Sequence, residues 1–390
     1  MKLTAVTSRF PYPIERGDKL RAYHQLRVLS ERHEVSLVAL SEGPVPPEDR
    51  RKVDELGITT HVVERSRLDT VRSTASGVLA GQPIQVGYFT APRTIGRVRN
   101  LIEDLQPEHL YCQLVRTAWA AEMGGVGSTI DYQDAFSAAM RRRGANQAAP
   151  VRRIFEAESE RIGRCEWSAF ETFDNAVVIS EQDRDLLDVP EPGEVDVLPN
   201  GVDTEFFSPD VAVCGDPVDI AFVGNMGYPP NVRASRLLVE QIVPAVGSSP
   251  RVLLAGARPS RSVRRLAGPK VEVTGWMSDI REAYARASVM VAPLFIGAGL
   301  QNKVLEAMAM GVPVVTTSLV NNSIGAADGR EIRVADSPGA LAVAAAELLE
   351  SKSLREEMAS AARAMVIERF SWPAVGDRLT AVFERTNQTR

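Results

Sequence analysis

A chain of 390 residues, 44% of them hydrophobic, has material for two cores of ordinary size and is not a disordered polymer. Its net charge of −5 argues against bulk nucleic-acid binding, which rests on a basic surface. The three cysteines (Cys112, Cys165, Cys214) stand far apart with no CxxC, so neither a disulfide framework nor a zinc site is expected and a reducing cytosol is the default.

The N-terminal "MKLTAVTSRFPYP" turns polar after a very short apolar run and reads as a first strand, not a signal peptide. A Pro/Gly loop follows, in which "PIERGD" places Gly17 ahead of a helix and Asp18 as its N-cap. The helix-like "DKLRAYHQLRVLSER" leads to the strand-like runs "EVSLVAL", "HLYCQLV", "STIDYQ" and "NAVVIS". Asp131, Gln133 and Asp134 fall at the C-terminal end of "STIDYQ", where functional residues of parallel sheets gather. An acid there could orient an acceptor hydroxyl, and capping the next helix explains Asp134 nearly as well. The histidines (His24, His33, His61, His109) are scattered, with no HExxH. "DRD" at Asp183–Asp185 imitates a metal-binding DxD, but Ser180 and Asp183 have the spacing of a capping pair, and we read it as a helix start. Arg65, Arg67, Arg72 and the run Arg141–Arg143 could meet a lipid-linked acceptor or an anionic membrane surface; such runs are more often solvated faces.

The pattern then restarts. "LPNGVDTEFFSPDVAVCGDP" is rich in Pro, Gly and Asp and reads as a linker. After it come "DIAFVG", "RVLLAG", "VEVTG", "ASVMVAPL" and "VPVVTT", again separated by helix-like runs. Short apolar strands alternating with helices predict parallel sheets covered on both faces. We therefore expect two Rossmann-like, doubly wound α/β domains facing an interdomain cleft: residues 1–205, residues 206–370, and a C-terminal helix at 371–390 that packs back on the first domain. The break before that helix is set by Ser371–Pro373. Residues 1–205 hold 25 Lys and Arg against 32 Asp and Glu, and the remainder 20 against 18, so the second half is the friendlier to an anion. No run of about 18 apolar residues predicts a membrane span.

The most informative stretch is "FIGAGLQNKVLEAMAMGVPVV", from Phe295 to Val315. A buried strand, a glycine loop and a helix N-terminus in succession form a phosphate cradle, because free N–H groups and the helix dipole both favour an anion. Gly311 stops the helix, with Pro313 after it. Lys303, in the first turn, opposes the dipole at a cost of a few tenths of a kcal/mol. A bound diphosphate would give that violation a purpose. The bland alternative is an i,i+3 surface pair of Lys303 with Glu306. Glu306 lies one turn further on the same face, in a setting too apolar for a merely solvated glutamate, and could accept both hydroxyls of a ribose.

These motifs carry a resemblance. "VLEAMAMGVPVV", "LPNGVD" and "FVGNMGYPPN" are similar to the signatures of glycosyltransferase family 4, retaining enzymes of the GT-B fold, over nearly the whole chain. "YPIERGDKLRAYHQLRVLSERHEVSLVAL" and "APLFIGAGLQNKVLEAMAMGVPVV" resemble a narrower branch, the sugar transferases associated with exopolysaccharide (exosortase-type) gene clusters. The resemblance implies donor contacts from Gly17, Gly224, Asn225, Arg258, Trp276, Gly297, Gly299, Leu300, Gln301, Asn302, Lys303 and Glu306. Lys303 is the implied main cation for the diphosphate, helped by Arg258. Gln133, followed by Asp134, stands where the family commonly has a histidine near the donor sugar, and Asp18 and Asp131 are read on the acceptor side. Trp276 fits either beside the base or in the core. Three of the family's polar donor contacts are absent: the first Glu of its Glu-x7-Glu falls on Ala298, and its Arg and Lys on Asn225 and Pro230.

The expected function is transfer of a sugar from a nucleoside diphosphate sugar to a hydroxyl of a carbohydrate, lipid-linked or small-molecule acceptor. It needs no cofactor and no metal, in the cytoplasm or at the inner membrane face. A catalytically impaired paralogue that binds nucleotide sugar or a partner, and an epimerase of the same fold, are the alternatives. A nicotinamide oxidoreductase is weakest, because neither domain's first strand is followed by GxGxxG with an acid about twenty residues on.

Overall fold

The computed structural model describes residues 1–389 except 124, 146, 213 and 297–299. The chain forms two compact units, Met1–Pro199 with Val375–Arg390, and Asn200–Ala374. The sequence reading drew its boundaries at 205/206 and 370/371; the fold draws them at 199/200 and 374/375 because the start of the linker is built into the second unit. Val202 is buried, its N–H donates to the Phe370 carbonyl at 2.7 Å, and its own carbonyl accepts the Trp372 N–H at 3.3 Å. Gly201 lies so close under the buried Trp372 ring that a Cβ there would come within 2.5 Å of it.

The first unit is a seven-stranded, all-parallel sheet: β1 (Lys2–Thr7), β2 (Glu34–Ser41), β3 (Thr59–Glu64), β4 (His109–Gln113), β5 (Gly127–Gln133), β6 (Asn175–Val178) and β7 (Val195–Val197). Its order is β3-β2-β1-β4-β5-β6-β7, so the winding reverses between β1 and β4. β4 and β5 are buried at every residue, as a strand covered on both faces must be. The edge strands β3 and β7 are not visible in the sequence pattern, since one is half-solvated and the other three residues long. Helices α1 (Gly17–Ser30), α2 (Phe136–Ala145) and α3 (Ala149–Thr172) belong to this unit. The chain's last helix, Trp372–Thr389, returns to it: the buried Phe383 packs on the His109 ring at 4.5 Å and Tyr111 at 5.6 Å, and Thr380 Oγ1 meets His33 Nε2 at 3.1 Å.

The second unit has six parallel strands: β8 (Val218–Val223), β9 (Val252–Ala255), β10 (Val271–Gly275), β11 (Ala287–Ala292), β12 (Val314–Thr316) and β13 (Arg333–Val334). The order β10-β9-β8-β11-β12-β13 reverses between β8 and β11. Helices α4 (Pro229–Leu237), α5 (Asn302–Ala309) and α6 (Lys352–Phe370) flank it, and α6 ends where Ser371 turns extended. The core is aliphatic, with Ile220, Phe222, Leu254, Val291, Leu305 and Val315 all buried. No helix among the described residues is long and apolar enough to cross a membrane.

Candidate active site

In an open parallel sheet, ligands bind beyond the carboxyl ends of the strands at the point where the winding reverses. In the second unit that point lies between β8 and β11. The segment after β8 carries Gly224 and Asn225, and the one after β11 leads into α5. Gly297, Ala298 and Gly299 lie outside the described residues. Leu300, Gln301 and Asn302 are half-buried at the entry to α5, with Gln301 at the N-cap position and no side-chain cap there.

The backbone of this end is packed without room for side chains. A Cβ on Gly256, at φ +135, would lie 1.9 Å from the Gly224 carbonyl oxygen. A Cβ on Gly224 would meet Asn231 Nδ2 at 2.8 Å and Lys303 Nζ at 3.4 Å. The missing side chain at Gly224 is therefore the space beside which the Lys303 ammonium sits.

Lys303 and Glu306 do not pair as an i,i+3 surface couple; each takes a different partner. Lys303 Nζ donates to Asn231 Oδ1 at 2.6 Å and stands 5.3 Å from the centre of the Phe222 ring. Asn231 is itself fixed, its Nδ2 donating to the Asn225 carbonyl at 3.0 Å. Glu306 Oε2 accepts from the Tyr284 hydroxyl at 2.7 Å, and Tyr284 also reaches the Lys303 carbonyl at 3.3 Å. Burial pulls the Lys303 ammonium down to about 8, opposed by the charge of Glu306. Burial raises the Glu306 carboxyl, and the Tyr284 hydrogen bond and Lys303 pull it back down. The result is a cation and an anion on one face of one helix, both half-buried and each held by a neutral group.

Asn231 and Tyr284 were not among the residues singled out from the sequence. Asn231 directly follows Pro230, one of the positions where a family cation is lacking, and serves that end of the site by holding Lys303. Asn225 Oδ1 accepts the Gly227 N–H at 3.0 Å and so shapes the turn. Arg258 is exposed, in a left-handed conformation at φ +55. Trp276 is 75% exposed, which removes its reading as a core aromatic.

The first unit revises two expectations. Asp18 is not the N-cap of α1: that position is Arg16, without a side-chain cap, because the helix already begins at Gly17. Asp18 lies in the first turn and pairs with Arg9. Asp131 is 0% exposed and cannot face an acceptor. Its Oδ2 accepts from Arg21 Nε at 2.7 Å, Gln25 Nε2 at 3.1 Å and Tyr111 Oη at 2.5 Å, and its Oδ1 from the Gln133 N–H at 2.9 Å. It ties α1 to the sheet.

Gln133 sits at φ +64, unusual for a residue with a side chain, and its amide Nε2 is buried without a partner. Asp134 is exposed as a residue, yet its carboxyl is crowded, and burial with the charge of Asp183 raises its pKa. Ser180 caps the helix Glu181–Leu186, accepting the Asp183 N–H at 3.1 Å, so the "DRD" run is helix-start chemistry. Of the arginines, Arg67, Arg72 and Arg141–Arg143 are exposed, whereas Arg65 is buried. Among the described residues, no group of three or more His, Cys, Asp or Glu is placed to hold a metal ion.

The family described as Glycosyl transferases group 1 matches residues 217–351. That span holds the whole Lys303–Asn231 and Glu306–Tyr284 arrangement. Solved structures extend the likeness to both units. The sucrose-phosphate synthase of Thermosynechococcus elongatus is 15% identical with a TM-score of 0.69, covering 100% of each chain. HepE of Anabaena in complex with UDP is 14% identical with a TM-score of 0.68, covering 99% of this chain and 100% of that one. A glycosyltransferase of Rickettsia africae is 13% identical with a TM-score of 0.67, covering 100% of each. No curated protein sequence matches the chain. The architecture is that of the GT-B glycosyltransferases, two parallel-sheet Rossmann-like domains. Domain match and fold together support a transferase.

Proposed function

We propose that the protein is a retaining glycosyltransferase of family 4 that moves a sugar from a nucleoside diphosphate sugar to an acceptor hydroxyl in polysaccharide, glycolipid or natural-product glycan assembly. The observation that carries this reading is the Lys303 ammonium, held by Asn231 at 2.6 Å beside the side-chain-free Gly224 at the winding reversal of the second sheet. When the bond between the sugar and the diphosphate breaks, negative charge gathers on the leaving diphosphate. A preorganised cation and helix N–H groups in a partly dry site stabilise that charge best. On this reading Lys303 and the N-terminus of α5 supply the positive charge that a metal supplies elsewhere, and no metal is required. Glu306, oriented by Tyr284, takes the ribose hydroxyls. Trp276, exposed beyond β10, is free to lie against the base. Gln133 is the candidate beside the donor sugar and Asp134 the candidate near the acceptor hydroxyl, the raised pKa of Asp134 suiting it to accept that proton. One solved structure of this fold, HepE of Anabaena, is a complex with UDP-glucose, which makes UDP-sugars the first donors to try. We place the protein in the cytoplasm or at the inner face of the membrane.

The test is product formation. A panel of nucleoside diphosphate sugars is offered with sugar and lipid-linked acceptors, and released nucleoside diphosphate and glycosylated product are both measured. The anomeric coupling in the product reports retention. Tight nucleotide binding with no product from any combination would favour the impaired-paralogue reading instead.

A further inference from the structure

The carboxyl ends of β1, β2 and β3 in the first unit enclose a pocket of about 270 Å³. Four cations line it, Arg9, Arg16, Lys19 and Arg65, against three carboxylates. Arg65 is the unusual member. It is only 6% exposed, and its guanidinium lies 4.5 Å from the centre of the Tyr88 ring and 4.4 Å from that of Phe89. Nη1 donates to the Tyr88 carbonyl at 2.8 Å. Nη2 reaches Glu42 Oε1 only at 3.4 Å, and the Glu42 side chain is 68% exposed, so this pair is weak. Nε is buried with no acceptor among the described residues. A buried cation is normally fully hydrogen-bonded, and one that is not is poised for a ligand. Two aromatic faces hold the guanidinium plane in a fixed orientation, which suits the forked recognition of a phosphate. Arg16 and Lys19 stand at the mouth, beside the N-terminus of α1, which also favours an anion.

We propose that this pocket binds a phosphate group carried by the acceptor substrate. The inference rests on the transferase reading and narrows it: the acceptor is a phosphorylated sugar or a lipid-linked sugar phosphate. Arg65 anchors the phosphate, Arg16 and Lys19 close over it, and Glu42 competes with it for the guanidinium.

The experiment uses the whole chain, with UDP in excess to fill the donor site and glucose 1-phosphate as the probe, read by calorimetry. Wild type with UDP bound should bind the probe. Arg65→Met should weaken binding tenfold or more, and Arg16→Ala with Lys19→Ala severalfold. Glu42→Gln should strengthen it. If Arg65→Met does not fold, the two mouth variants and Glu42→Gln carry the test, since all three change outward-reaching side chains. Sedimentation with vesicles of phosphatidic acid, against phosphatidylcholine alone, distinguishes the source of the phosphate. Vesicle binding lost in the Arg65 or mouth variants assigns a lipid-borne acceptor; probe binding without vesicle binding assigns a soluble one. The proposal is overturned if wild type binds neither probe nor vesicles, or if probe binding survives unchanged in the Arg65 and mouth variants. Failure here with UDP binding intact leaves the donor reading standing. Absence of UDP binding in the wild type would instead count against the donor reading.

Discussion

Lys303 should make nucleotide binding depend on pH in a range where an ordinary lysine is silent. Burial pulls its ammonium down to about 8 in the empty protein. With that value the side chain is about nine-tenths charged at pH 7 and about one-tenth charged at pH 9. If only the ammonium form holds the diphosphate, the apparent affinity for a nucleoside diphosphate should fall about tenfold between those two pH values and about tenfold again by pH 10. The stability of the empty protein should move in the other direction. The folded-state value lies below the unfolded one, so the unfolded chain takes up the proton more readily, and the resulting penalty is present in full below about 8 and is relieved as pH rises toward the unfolded value. Calorimetric titration of nucleotide across this range, in wild type and Lys303→Met, is the assay. The variant should bind about 10–150-fold more weakly at pH 7, the worth of one charge-assisted contact of about 1.5–3 kcal/mol, and should show no pH step. A wild-type affinity that stays flat from pH 7 to pH 9 would refute the assignment of Lys303 to the diphosphate.

Three other expectations concern what holds the site. Tyr284→Phe removes the donor that orients Glu306, lets its pKa rise further, and should erode discrimination between ribo- and 2′-deoxynucleotides by a factor of about 5–30, which competition binding measures. Gly256→Ala forces a Cβ against the Gly224 carbonyl, two backbone segments that must then separate; at about 2–3 kcal/mol, melting should drop by roughly 4–12 °C. Asp131→Asn removes the buried carboxylate charge that Arg21 Nε, Gln25 and Tyr111 share and should cost about 3–5 kcal/mol in chemical denaturation; unchanged stability with lost activity would instead restore Asp131 to the acceptor side.

The strand-and-helix alternation was legible because both sheets are covered on both faces, so that central strands such as "DIAFVG" and "ASVMVAPL" are continuous apolar runs. Three of the four edge strands were not, since β3 is partly solvated, β7 has three residues and β13 two; the fourth, β10, was visible as "VEVTG". Lys303 and Glu306 stood out because a cation in a helix's first turn and an acid in an apolar helix both break local rules. Their partners did not. Asn231 lies 72 residues before Lys303 and Tyr284 lies 22 before Glu306, and no local pattern marks a contact made across a sheet. Asp131 was misread for the same reason, its partner Arg21 being 110 residues away. An arginine, a histidine and a glutamine on the inward face of α1 were the available cue. Arg65 looked like one member of a solvated arginine group, and only the rings of Tyr88 and Phe89 reveal it as buried.

The central claim is that the site beyond the carboxyl ends of β8 and β11 receives a nucleoside diphosphate on Lys303. The most direct measurement is thermal stabilisation by a panel of nucleoside diphosphates, in wild type and in Lys303→Ala. At a ligand concentration of about 100 Kd, binding adds about 2.7 kcal/mol to the folded state, a readily measured rise in melting temperature. The account predicts that one base is preferred, that its diphosphate stabilises wild type, and that Lys303→Ala, binding about 10–150-fold more weakly, keeps only about 0.3–1.4 kcal/mol of that stabilisation. If no nucleotide shifts the wild type, or if Lys303→Ala is stabilised as much as wild type, the account is contradicted.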